Sequence, residues 1–138
     1  MSKGNNQMNT LITKKIASKV LGIDVLEEGI SEVGTNIHYF NNDNKCFEKI
    51  TIEKFCERIE EIFIVNFYSI KMEEYTFHKP AYNYMVTKDF EEKYVFVVRD
   101  CENKLQGMLE SLNWLLENNK NLIFPLPAYV YVFPFEKL

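Results

Sequence analysis

Ala81-Tyr-Asn-Tyr-Met-Val-Thr87, Lys88-Asp-Phe-Glu-Glu-Lys93 and Tyr94-Val-Phe-Val-Val-Arg99 follow one another without a break, and their reading decides the fold. The first and third runs are aromatic and β-branched, side chains that pack well on a pleated surface. The charged interruption between them predicts a hairpin of antiparallel strands. Asp100 or Asn103 can then accept from the free amides of a first helical turn. Beyond that cap, Leu105, Met108, Leu109, Leu112, Leu115 and Leu116 recur at helical spacing, up to Asn118-Asn119. A hairpin running into an amphipathic helix predicts an α+β fold.

Upstream, Thr10 is a suitable cap for a helix over about residues 10–21, one side of which carries Ile12, Ile16 and Val20 with Thr13, Ala17 and Leu21. Gly22 supplies its stop. Residues 23–34 read as irregular and acidic, and Thr35-Asn-Ile-His-Tyr-Phe40 alternates like a strand before the turn-forming Asn41-Asn-Asp-Asn44. Thr51 caps a second helix from about residue 52, with Phe55, Cys56, Ile59 and Phe63 on one stripe. The run from Ile62 to Ile70 has strand-like composition, yet it continues that stripe with no Gly or Pro to end it, and so reads as helix to about Phe67.

Residues 1–8 are small and polar, and read as a disordered tail. At the other end, Leu122 to Phe135 is very apolar but interrupted by Pro125, Pro127 and Pro134, which suits an edge strand or an extended wrap. The expectation is one α+β domain over residues 9–138, built as a single small antiparallel sheet of about three to five strands packed with three helices.

The chain has 138 residues, enough to bury roughly two-thirds of its unfolded surface without disulfide staples. A net charge of -4 speaks against a broad phosphate-binding face, so direct contact with nucleic acid is not expected. Cys46, Cys56 and Cys101 are widely spaced and odd in number, which fits reduced thiols in a cytoplasmic protein better than a disulfide framework or a metal knuckle. No apolar run reaches the roughly 18 residues of a membrane span.

Catalytic patterns are missing from the text of the sequence. His38 and His78 have no companion in an HxH or HExxH arrangement, and no G-x-S-x-G, GxGxxG or phosphate-binding loop occurs. Neither a metal nor a cofactor is expected. One nucleophile candidate is Cys101, beside Arg99 at the expected start of the third helix, where a helix N-terminus would lower a thiol pKa. With His38 or His78 it would make a small thiol enzyme. The plainer reading is a small apolar filler.

Two surface features suit binding. On the second helix a period of about 3.6 residues gathers Glu53, Glu57, Glu60 and Glu61 beside the apolar stripe, with Lys54 and Arg58 beyond them. Carboxylates spaced along a rigid helix can imitate a phosphate backbone, or can simply be a solvated face. On the third helix Trp114 lies about 180° from Leu105. Either the aromatic tail around Tyr129, Tyr131 and Phe133, or another layer, covers it, or it anchors a partner.

The segment Leu11-Ile-Thr-Lys-Lys-Ile-Ala-Ser-Lys-Val-Leu-Gly22, with its Ile-Ala pair and Leu-Gly stop, resembles the opening helix of the phage ABA-sandwich domain family. The order of elements is similar too. Ile23, where that family commonly has an aromatic, and the apolar tail depart from it. The resemblance implies a phage or mobile-element accessory protein, a class that includes anti-CRISPR and other anti-defence proteins. The function expected is therefore non-enzymatic: binding and inhibition of a host protein, such as a nucleic-acid-binding defence effector, through Glu53, Glu57, Glu60, Glu61 and Trp114. A homo-oligomer using the apolar tail as its interface is the other non-enzymatic expectation.

Overall fold

A computed structural model describes residues 12–125. In chain order the elements are α1 (Lys14–Leu21), β1 (Val25–Val33), β2 (Asn36–Asn41), β3 (Cys46–Thr51), α2 (Ile52–Val65), β4 (Tyr68–Thr76), β5 (Pro80–Lys88), β6 (Tyr94–Cys101) and α3 (Lys104–Asn118). Among the described residues a helix followed by a three-stranded meander thus occurs twice, and a third helix follows the second meander.

The α+β class is correct, but the expectation of one sheet is overturned. Among the described residues the strands form two separate three-stranded antiparallel sheets, β1-β2-β3 and β4-β5-β6. The reason is local. Each meander is joined by tight turns, and α2 lies between the last strand of one sheet and the first of the other.

Three strands come from segments read otherwise. Residues 25–33, expected to be irregular, form β1, whose register against β2 shifts between Leu26 and Ser31. Cys46–Thr51 forms β3, and α2 stops at Val65 rather than Phe67. At that end Asn66 folds its amide back to the Ile62 carbonyl at 2.7 Å, and Phe67 takes a left-handed φ of 66°. The backbone therefore leaves the helix without a glycine and enters β4.

The caps follow the expected chemistry at two of three helices. The Thr51 hydroxyl accepts from the Lys54 amide at 3.0 Å, and the Asn103 side-chain oxygen accepts from the Gln106 amide at 2.9 Å. At α1 the cap is Thr13, which accepts from Ile16 at 3.2 Å. Thr10 and the 1–8 tail lie outside the described residues. Gly22 ends α1 in the left-handed conformation at φ 74°, as its position suggests.

One continuous core joins both halves. It contains Val20 and Leu21 of α1, Ile37 and Tyr39 of β2, Phe55, Ile59 and Phe63 of α2, Val86 of β5, and Leu109, Leu112 and Leu115 of α3. Among the described residues no helix is long and apolar enough to cross a membrane.

Residues 122–125 run back over α2 as extended chain. Asn66 holds them by a reciprocal pair: its side-chain nitrogen donates to the Ile123 carbonyl at 2.8 Å, and its oxygen accepts from the Ile123 amide at 2.8 Å. The Lys19 ammonium lies 5.0 Å from the Phe124 ring centre. The rest of the expected edge strand or wrap lies outside the described residues.

Candidate functional site: an acidic-rimmed groove

Residues of α2, α3 and the second sheet line a groove of about 450 Å³. Ile70 and Met72 of β4 and Tyr84 of β5 form its floor. One wall is α2, with Cys56 low and Glu53, Glu57 and Glu60 along the rim. The facing wall is α3, with Met108 low and Lys104 at the mouth. The helical rise sets Glu53 and Glu57 about 6 Å apart along the axis and Glu57 and Glu60 about 4.5 Å apart.

Three of the four expected ridge carboxylates therefore share a wall; Glu61 does not. Its carboxylate lies 2.6 Å from Nη1 of Arg58, on the other flank of the helix. Arg58 is not a solvated residue beyond the ridge, because it is 5% exposed. Its Nη2 donates to the Val20 carbonyl at 3.3 Å and to the Pro125 carbonyl at 3.1 Å, so it ties α1 and the 122–125 segment to α2. Within the rim, Glu57 lies 3.5 Å from Lys54, both side chains being about half exposed, an ion pair that water screens strongly.

The groove is made by a close approach. The ring of Tyr84 sits against Gly107 so tightly that a Cβ at 107 would fall 2.2 Å from its Cδ1. Burial, followed by the neighbouring Cys56 and Cys101 thiols, pushes the Tyr84 phenol well above its usual range. Burial also raises the Cys56 thiol to about 11, against a smaller opposing effect of Lys104. These groups stay neutral near pH 7, so the negative charge at the groove comes from its rim.

Cys101 departs from its expected role. It ends β6, is 1% exposed, and burial raises its thiol to about 11, with Glu110 and Asp100 adding to the rise. The lowering expected from a helix N-terminus is absent. His38 is half-buried on β2, and His78 sits in the exposed β4–β5 turn with its ring 4.6 Å from that of Phe77. Among the described residues no group of three or more His, Cys, Asp or Glu is placed to hold a metal ion.

Trp114 is half-buried between rings of the second sheet. Its indole stacks on Phe96 at 5.5 Å and meets the edge of Tyr68 at 6.0 Å. The sheet, a layer the helix pattern alone does not reveal, accounts for its position. The tail aromatics named as an alternative cover lie outside the described residues. Trp114 lines a second hollow of about 430 Å³, with Ile16, Phe96 and Leu109.

The floor and the facing wall of the main groove could not be read from spacing alone. Ile70, Met72, Tyr84, Lys104 and Met108 come from three elements, and only the rim on α2 had a sequence signal. No protein-family model matches this chain, and no curated protein or solved structure matches it either.

Proposed function

We propose that this chain is a non-enzymatic binding protein whose groove between α2 and α3 takes a lysine- and arginine-rich protein segment bearing apolar side chains. One observation carries the reading: Glu53, Glu57 and Glu60 rim a hollow whose floor is Ile70, Met72 and Tyr84. Apolar side chains of the partner would fill the floor while its cations meet the rim, and charge complementarity of this kind favours association rate and specificity. Basic surfaces of this composition are common on proteins that handle nucleic acid. The resemblance of residues 11–22 to phage accessory proteins supports a host defence effector as the partner, with occlusion of its basic surface as the inhibitory act.

The test uses an alternating lysine–leucine peptide as probe against the wild-type chain and a Glu53→Gln/Glu57→Gln/Glu60→Gln variant. Binding to the wild type should weaken as salt rises. Occupancy should shield Cys56 from alkylation while leaving Cys46 reactive. The variant should bind about tenfold more weakly or worse. Equal binding by both proteins would refute the groove as the site. For the partner class, co-expression with a DNA-targeting defence effector should abolish interference, and the same triple variant should restore it.

A further inference from the structure

We infer that a second copy of this chain pairs antiparallel with the free edge of β4, about a two-fold axis passing beside Met72. Among the described residues β4 is an edge strand of nine residues, paired with β5 on one side only. From Lys71 to Thr76 every residue is exposed. An edge of this length is a template for another strand, and proteins commonly blunt such edges with charges. Here the charges are arranged so that one partner satisfies them.

The sheet register sets which side chains share a face. Lys71 lies opposite Met85, and Glu73 opposite Asn83, on the face away from α3, whereas Ile70 and Met72 lie on the groove face. Neither Lys71 nor Glu73 has an ion-pair partner among the described residues. If Met72 pairs with the partner's Met72, Lys71 falls directly opposite the partner's Glu73, and the reverse pair forms by symmetry. Shifting the register by one pleat either way sets Lys71 against Lys71 or Glu73 against Glu73. Opposite charges facing across strands stabilise a sheet and like charges destabilise it, so the charges select a single register.

The strand is also braced for this role. The Tyr75 hydroxyl bonds the Asp100 carboxylate across the sheet, and the Asp100 amide donates to the Asn83 side chain at 2.9 Å. An unregistered foreign strand would meet Lys71, Glu73 and Glu74 without matching charges, whereas a second copy neutralises two of these three. Such an interface is isologous and closes as a dimer. Because Met72 also floors the groove, pairing would set the two grooves side by side across the axis. The surface does not use Glu53, Glu57 or Glu60, so this inference and the proposed function can fail separately.

Light scattering on the size-exclusion peak tests it. The wild type should be a dimer at micromolar concentration. Lys71→Glu and Glu73→Lys should each shift the protein to monomer, and the Lys71→Glu/Glu73→Lys exchange should restore the dimer. In a Cys46→Ser/Cys56→Ser background, Met72→Cys should form a disulfide-linked dimer on mild oxidation, whereas Ser69→Cys, which faces the partner's Tyr75, should not. A monomeric wild type, or a dimer indifferent to both charge reversals, overturns the inference. Because all these positions are exposed, loss of folding is not the expected cause of any change, and far-ultraviolet circular dichroism checks this directly.

Discussion

Tyr84 and Gly107 meet where the second sheet touches α3, and the glycine lets the ring reach the floor of the groove: any side chain at 107 would overlap Cδ1 and Cε1 at 2.2 and 2.3 Å. Gly107→Ala improves helix propensity by about 1 kcal/mol. Forcing the ring aside costs typically 1–3 kcal/mol, because a packed interior does not yield. The variant is expected to be net destabilised in urea unfolding and to bind the lysine–leucine peptide less well, since the displaced ring enters the groove. A variant as stable as the wild type would contradict the contact.

Arg58 supplies a second test of how the halves are joined. Its guanidinium serves the Val20 and Pro125 carbonyls and Glu61 together. Arg58→Ala should lose about 3 kcal/mol or more, the usual result of removing one member of a buried charged network. Arg58→Lys should recover only part, because an ammonium cannot copy the planar fork. Glu61→Gln should change stability by less than about 1 kcal/mol, since that carboxylate is half exposed.

Asn66→Ala removes both hydrogen bonds to Ile123. The expected loss is about 1–2 kcal/mol. Amide exchange locates it: the Ile123 N–H should lose protection while the interior of α3 keeps its own. Unchanged protection at Ile123 would show that residues 122–125 are held in another way.

The thiols predict a dependence on alkaline pH. Burial raises both Cys56 and Cys101 from the ordinary 9.0 to about 11, so the folded chain holds these protons more tightly than the unfolded chain. Their contribution to stability is complete below pH 9 and disappears as the pH rises to about 11. Urea midpoints should therefore fall across that window, and less so in Cys56→Ala. In an iodoacetamide time course at pH 8, Cys101 should react only when the chain opens, with Cys46 and Cys56 ahead of it.

Trp114 separates internal packing from partner anchoring. With Phe96 and Tyr68 as ring neighbours, Trp114→Ala should cost about 2–3 kcal/mol, near the low end for a large aromatic because the site is only half-buried. Trp114→Phe should cost less. Unaltered stability in the alanine variant would favour the partner-anchoring alternative over internal cover.

Which strands were legible depended largely on their place in a sheet, with β6 the one edge strand read, because Tyr94, Val95, Phe96, Val97 and Val98 form an unbroken aromatic and β-branched run. The central strands β2 and β5 have a face pressed on the core, so Ile37 and Tyr39, or Tyr84 and Val86, announce them. β1, β3 and β4 are edges. With water on much of their surface, they accept Glu27, Glu28, Lys49, Lys71, Glu73 and Glu74 at positions where alternation would be needed to recognise them. The missed strands were the reason one sheet was expected in place of two.

Local chemistry, by itself, determined the α+β class, the caps at Thr51 and Asn103, the stop at Gly22, the hairpin of β5 and β6, and the acidic side of α2, because each of these depends on neighbours within a few positions along the chain. Only the tertiary structure decided that Arg58 is buried and takes Glu61 from the ridge, that Trp114 rests on Phe96, and that a groove opens above Ile70, Met72 and Tyr84. Those depend on residues brought together from distant segments, and side-chain burial and hydrogen bonding are settled by what the fold places beside a residue rather than by the residue's own periodicity.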